Sequence, residues 1–311
     1  MVSFLPGPAE MITRRLALQL GLSATAAAFI ADPLRAKTYV IHTRPIPSSG
    51  EKLPLIGIGT ARRFDVQTAE EKAPLREVLR ELPQLGGKLV DTAPSYGVAE
   101  SVVGELIAEL GNRDALFIAT KVGAGRSGAE AGLAEMKASL ARLKRIDLLQ
   151  IHNLAGVDAM LPILREWKAA KKIRYHGIST SSDQQYDALE AIMKREQLDF
   201  IQIDYALDNR LADERILPLA ADRGIAVLTN LPFGRGRVLS AFKDQPIPQW
   251  AKDLGIETWA QFALKWVVSH PAVTSAIPGT AKLEYLKDNL GAGRGPMPDA
   301  ATRKKMVALL G

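Results

Sequence analysis

From residue 37 onward, short apolar runs alternate with stretches in which apolar side chains recur every three or four positions. Eight runs read as strands: residues 55–59, 88–91, 116–120, 147–151, 174–178, 200–203, 226–228 and 273–277. Most are β-branched and apolar without polar alternation, the pattern of strands buried on both faces of a parallel sheet. Residues 100–110 carry Val103, Leu106, Ile107 and Leu110 on one helical stripe, and residues 130–143 carry Leu133, Met136, Leu140 and Leu143. Successive runs lie roughly 25 to 30 residues apart, one βα unit each. The last gap is longer and holds residues 234–255, where a lid or phosphate loop often lies. Eight such units without a break in composition predict a closed (β/α)8 TIM barrel of the α/β class, one domain over residues 37–311. Ahead of it, Tyr39-Val-Ile-His42 and the turn residues 45–50 predict a small N-terminal hairpin.

Residues 11–31 contain no acid, open on Thr13-Arg14-Arg15 and run into an apolar stretch over 16–30. That stretch is shorter than the ~20 residues a spanning helix needs. A positive start, a short apolar centre and small residues near Ala26 read as a signal over residues 1–36, of the twin-arginine type. The expectation is export of the folded chain by the twin-arginine machinery to the periplasm, with no stable membrane anchor. A first amphipathic helix is the alternative, but the apolar residues cover every face rather than one stripe.

Composition narrows the function without choosing it. Of 311 residues, 47% are hydrophobic and 24% charged, ordinary for a globular chain. The net charge of +6 is spread along the chain with no basic run, so a nucleic-acid partner is not expected. There is no cysteine, which excludes disulfides, a thiolate nucleophile and thiolate-bound metal. No His, Asp and Glu set has ligand spacing, so no metal is expected.

In such a barrel the chemistry sits at the carboxyl ends of the strands. There the second strand offers Asp91, followed by Thr92-Ala-Pro-Ser-Tyr96-Gly97; the third offers Lys121 and the fourth His152. Asp91 would hold Lys121 as an ion pair. The Lys121 ammonium would lower the Tyr96 pKa from its usual ~10. His152 would donate to a carbonyl oxygen, and Tyr96 would pass its proton to that oxygen as negative charge develops.

The stretch Asp91-Thr-Ala-x-x-Tyr96-Gly97-x-x-Glu100, with Lys121 in Ala-Thr-Lys and His152 in Asp147-Leu-Leu-Gln-Ile-His, resembles the signature of the aldo-keto reductases over residues 53–289. The resemblance implies reduction of an aldehyde or ketone with NADP(H), NAD(H) being the alternative, and Asp91, Tyr96, Lys121 and His152 as the catalytic tetrad. It implies cofactor contacts at Gly59 and Thr60, at Ser179, Thr180 and Gln202 for the carboxamide, at Asn230 beside the nicotinamide, and at Leu231, Pro232, Gly234 and Gly236 near the pyrophosphate. Ile277, Gly279, Thr280, Lys282, Asp288 and Asn289 would surround the adenosine phosphate and adenine. Two positions depart from the family pattern. Asn230 stands where many members stack an aromatic ring on the nicotinamide, and Tyr285 stands where an arginine usually meets the 2′-phosphate, leaving Lys282 as the nearby cation. A monomer acting on a small-molecule carbonyl is the partner expectation.

Gly123-Ala-Gly125-Arg-Ser-Gly128 matches a dinucleotide fingerprint and would favour a doubly wound sheet. The acid that should end the next strand is missing, since that strand ends in His152, so the string reads as a rim loop. His42, His176 and His270 lie away from strand ends and read as structural. Two other functions stay open: a barrel that holds its cofactor as a sensor with little turnover, and an isomerase or lyase using Tyr96 and Lys121 without redox chemistry.

Overall fold

The computed structural model describes residue 1 and residues 40–310, so the segment read as an export signal lies outside the described residues apart from Met1. One compact unit spans Tyr39–Gly311. It opens on an antiparallel hairpin of β1 (Thr43–Pro45) and β2 (Lys52–Pro54). Eight parallel strands follow: β3 (Ile58–Gly59), β4 (Leu89–Asp91), β5 (Phe117–Val122), β6 (Ile146–Ile151), β7 (Ile173–Ser179), β8 (Phe200–Asp204), β9 (Ala226–Asn230) and β10 (Val273–Ala276). Each pairs with its neighbour in the chain, as βα units require. Parallel bridges from Ile56 to Ala276 and from Gly59 to Gly279 join β3 to β10 and close the barrel.

The helices α1 (Ala69–Gln84), α2 (Ala99–Leu110), α3 (Ala129–Leu143), α4 (Val157–Ala169), α5 (Tyr186–Arg195) and α6 (Ile216–Asp222) each separate one pair of strands. Between β9 and β10 lie α7 (Arg237–Ala241), α8 (Gln249–Lys252) and α9 (Trp259–Val268); α10 (Leu283–Gly291) and α11 (Ala300–Ala308) end the chain. The long gap is therefore built rather than open: Phe242 stacks on Trp259 at 4.1 Å and 8°. Thr68 and Glu71 form a reciprocal cap that starts α1.

Period-two geometry splits each strand between two cores. Val90, Ile118, Leu149, Ile178, Ile201 and Val227 face the helices. Leu89, Phe117, Leu148, Tyr175, Phe200 and Ala226 face inward, and Ile46 and Leu53 of the hairpin join them from below. Glu51 fixes the hairpin to this floor, accepting from Lys88 at 2.8 Å and from the Tyr175 hydroxyl at 2.9 Å. Two residues further along, the inward row turns polar: Asp91 stands above Leu89, Gln150 above Leu148 and Gln202 above Phe200, all buried. Lys121 stands above Ala119 on the same row. The apolar floor thus hands over to a polar layer at the carboxyl ends of the strands.

Candidate active site

The spacing from Asp91 to Glu100 has a mechanical reason. Asp91 is fixed in β4. The buried Glu100 clamps α2 by accepting from Thr120 at 2.6 Å, Ser139 at 3.1 Å and Arg142 at 2.6 Å. The turn between these anchors carries Tyr96. Gly97 has φ +62°, and a Cβ there would strike the Asp65 carboxylate, which accepts from Val98 N at 3.0 Å. Only glycine fits that position.

Lys121 is 1% exposed, and its Nζ donates to Asp91 Oδ1 at 2.8 Å, Oδ2 at 2.6 Å and the Thr92 carbonyl at 3.1 Å. The same Nζ lies 5.1 Å from the centre of the Tyr96 ring. Tyr96 and His152 meet edge to face, with ring centres 5.8 Å apart. The four predicted catalytic residues therefore stand together.

Their electrostatics differ from the expectation in one respect. Burial raises the Tyr96 pKa above 10, and the opposing Lys121 charge is outweighed, so the phenol is held protonated rather than made more acidic. Burial lowers the Lys121 pKa, but Asp91 and Tyr96 more than offset this and the net shift is upward. Burial also holds the Asp91 carboxyl above its usual range against the pull of Lys121. Burial, with a contribution from the Lys121 charge, lowers the His152 pKa to about 4, so its imidazole is neutral at pH 7.

Sequence reading missed Ser95 and Gln150. The Ser95 hydroxyl lies 3.2 Å from His152 Nδ1; when it donates, the ring proton sits on Nε2. Gln150 is the register partner of Lys121 and donates to Gln202 at 2.9 Å. Period-two counting back from His152 would have found Gln150; nothing in the chain singles out Ser95.

The residues implied as cofactor contacts fall into groups. Gly59, Thr60, Ile277, Gly279 and Thr280 meet at the β3–β10 seam, where a Cβ on Gly59 would lie 2.8 Å from the Ile277 carbonyl oxygen. Asn289 is buried beneath and donates to Thr280 at 3.1 Å. Ser179 and Gln202 end β7 and line β8, in register with each other. Leu231, Pro232, Gly234 and Gly236 form the turn after β9, with positive φ at Leu231, Gly234 and Gly236.

Other residues are already engaged. The Thr180 hydroxyl is buried and donates toward Gln185 at 2.6 Å, and Asn230 Nδ2 donates to the Thr180 carbonyl at 2.9 Å. Asp288 does not join the seam: it accepts from Thr258 at 2.9 Å and Gln261 at 2.8 Å, holding the start of α9. Lys282 is exposed beside Tyr285, 5.6 Å from its ring centre and 3.7 Å from Glu284.

Thr60 Oγ1, Gln150 Oε1 and Asn230 Oδ1 are buried without a partner. Such atoms cost about 1–3 kcal/mol each, which a ligand rich in N–H and O–H groups would relieve. The glycine string at 123–128 offers no phosphate cradle, because Glu135 already accepts from Gly123 N at 2.6 Å and Ala124 N at 2.9 Å. His176 is buried 2.9 Å from Asp199, His42 lies 2.8 Å from the Gly295 carbonyl and His270 accepts from Ala272 N, all away from the site. Among the described residues no group of three or more metal-ligating side chains occurs.

A parallel barrel with an Asp, Tyr, Lys and His cluster at its carboxyl rim defines a class, and comparison with known proteins assigns it. The chain belongs to the aldo/keto reductase family, a family of oxidoreductases, whose model matches residues 55–304. It is similar to aldo-keto reductase YhdN of Bacillus subtilis, 33% identical over 208 residues, which cover 61% of this chain and 62% of that protein. It is also similar to methylglyoxal reductase YeaE of Escherichia coli, 29% identical over 80% of this chain and 89% of that protein. Among solved structures, an aldo-keto reductase from Klebsiella pneumoniae in complex with NADPH is 26% identical, with a TM-score of 0.71 over 87% of this chain and 95% of that one.

Proposed function

We propose that this protein reduces the carbonyl group of a small aldehyde or ketone to an alcohol, using NADP(H), with Tyr96 as the acid. The observation that carries this reading is the Lys121 ammonium, buried between the Asp91 carboxylate and the Tyr96 ring, beside a neutral His152. The seam residues Gly59, Thr60, Ile277, Gly279 and Thr280, with Ser179, Gln202 and the turn after β9, would hold the cofactor. When bound, the reduced nicotinamide supplies a hydride to the carbonyl carbon.

The chain's own residues handle the proton. His152, neutral, donates from Nε2 to the carbonyl oxygen and fixes its direction; Ser95 holds the ring in that tautomer. Tyr96, kept protonated by burial, gives its hydrogen to the same oxygen as charge builds there. Lys121 then stabilises the phenolate left behind, and Asp91 keeps Lys121 charged in a buried place.

The test is consumption of NADPH by purified protein on addition of a panel of aldehydes, followed against pH. The expected kcat/KM is level from pH 8 down to about 5, since His152 takes up its proton only near 4. A fall through pH 6 to 7, the range of an ordinary histidine, would reject the neutral donor. No aldehyde-dependent oxidation at all would reject the reductase.

We also read residues 1–36 as an address for twin-arginine export. The Arg14-Arg15 pair ahead of a short apolar stretch supports it. In a bacterial host the wild type is expected in the periplasmic fraction, and the Arg14→Lys/Arg15→Lys variant in the cytoplasm. Equal distribution of both would refute the assignment.

A further inference from the structure

The arginines of this barrel divide into two sets. Among the described residues, all but four donate to a carboxylate, a hydroxyl or a backbone carbonyl. The four without a hydrogen bond or ion pair are Arg62, Arg63, Arg126 and Arg235, all exposed. Each stands on a loop that follows a barrel strand: β3 for the first two, β5 for Arg126 and β9 for Arg235. Unpaired guanidinium groups thus collect on the rim that carries Tyr96 and His152.

Three nearby carboxylates, on the Arg62 loop, in α3 and on the loop after β8, do not neutralise them. Asp65 is turned to Val98 N at 3.0 Å. Glu135 is turned to Gly123 N and Ala124 N. Asp208 pairs with Arg237 at 2.7 Å, and Arg235 acts on the buried Asp204 only at longer range. The loop after β7 adds one exposed carboxylate without an ion pair, Asp183, but around the Tyr96 turn itself the free charges are the guanidinium groups, which attract an anion and orient it.

Two of the four belong with the cofactor residues. The Arg63 side chain packs on Gly279, its Cγ 3.5 Å from where a Cβ would stand, and Arg235 lies in the turn after β9. Arg62 and Arg126 have no such neighbour. Their loops border the Tyr96 turn on its two sides. Asp65 ties the Arg62 loop to Gly97 and Val98, and Gly123 of the Arg126 loop lies against His152, whose Cβ is 3.8 Å from the Cβ position of that glycine.

We infer that the substrate is an acid: a carbonyl compound that also carries a carboxylate or phosphate, which Arg62 and Arg126 hold while the carbonyl reaches Tyr96 and His152. This rests on the reductase reading above. The planar fork of guanidinium matches an oxyanion with two hydrogen bonds, which an ammonium does not.

The test compares 4-carboxybenzaldehyde with 4-formylbenzamide, of equal shape but neutral, and glyceraldehyde 3-phosphate with glyceraldehyde. The wild type is expected to favour at least one charged member by about tenfold or more in kcat/KM, the scale of one charge-assisted hydrogen bond. In Arg62→Gln/Arg126→Gln that preference is lost, with the neutral member unchanged within about twofold. Arg126→Lys keeps part of the attraction, and added salt weakens only the charged substrate. Which pair shows the effect tells carboxylate from phosphate. Equal kcat/KM for both members of both pairs in the wild type overturns the inference while leaving carbonyl reduction standing. So does a variant that slows both members alike or raises the KM for NADPH. If no carbonyl is reduced, the reductase reading fails, and calorimetry decides the rest. Then 4-(hydroxymethyl)benzoate and glycerol 3-phosphate are titrated into wild type and variant; arginine-dependent heat from either supports the anion site, and none from both overturns it.

Discussion

Tyr96→Phe is expected to cut carbonyl reduction by about 10²- to 10⁴-fold, the range that a positioned acid contributes. The ring is retained, so its packing against His152 and under Lys121 persists, and the loss falls on the proton alone. NADPH affinity should stay within about twofold of wild type, because the side chains acting on the phenol are Lys121 and Asp91 rather than residues assigned to the cofactor. The melting temperature should move little, since the substitution creates no cavity. Stopped-flow turnover with one aldehyde, alongside fluorescence titration of NADPH, separates these effects. Undiminished turnover in the phenylalanine variant would remove Tyr96 from the mechanism.

Lys121→Met should produce the largest loss of stability at a single site. Taking away one member of a buried ion pair costs about 3–5 kcal/mol, because the other charge is left without compensation. Here Asp91 has an escape. It takes up a proton, as burial already favours, and the folded variant then carries a carboxylic acid where the unfolded chain carries a carboxylate of pKa near 3.8. The sign follows from linkage. Asp91 of the variant has a folded pKa above its unfolded value, so the folded state binds more protons, and stability falls as pH rises from about 3.8 to that folded value and is level above it. Without Lys121 to oppose burial, Asp91 is raised further than in the wild type, so the deficit is expected near about 4 kcal/mol at pH 7 and smaller at pH 5. Urea unfolding at pH 7 and pH 5 measures both values. Asp91→Asn/Lys121→Met should recover much of the loss, since it removes both charges. A deficit that does not change with pH would mean that Asp91 never protonates.

Much of this was legible in the chain because a parallel barrel writes itself plainly. Strands buried on both faces must be apolar throughout, and β5, β6, β7 and β9 were found with ends displaced by only a residue or two. The shortest strand, β3, was overread: pairing across the seam is made by isolated bridges at Ile56 and Gly59, and Pro278 has no amide hydrogen to extend it. The tetrad was legible because strand ends place side chains by counting. What was not legible is the balance of opposing effects. A lysine beside a tyrosine suggested an easily lost proton, yet the burial of the phenol outweighs the neighbouring charge. Thr180 and Asp288 look available in sequence, but Thr180 is committed to a local turn with Gln185, five residues on, and Asp288 to the start of α9, thirty residues away. Ser95 escaped notice for the same reason, because its partner His152 is 57 positions away.

Asp91 and Lys121 project from β-strands whose next inward side chains form the barrel floor, and Tyr96 sits on a turn anchored by Asp91 and Glu100, whereas Arg62 and Arg126 ride on the loops after β3 and β5. Reactivity is thus inherited with the scaffold, while preference among reactants resides in pieces that can be exchanged. A descendant of this protein could acquire a new diet by rewriting two short loops and leave its proton chemistry untouched.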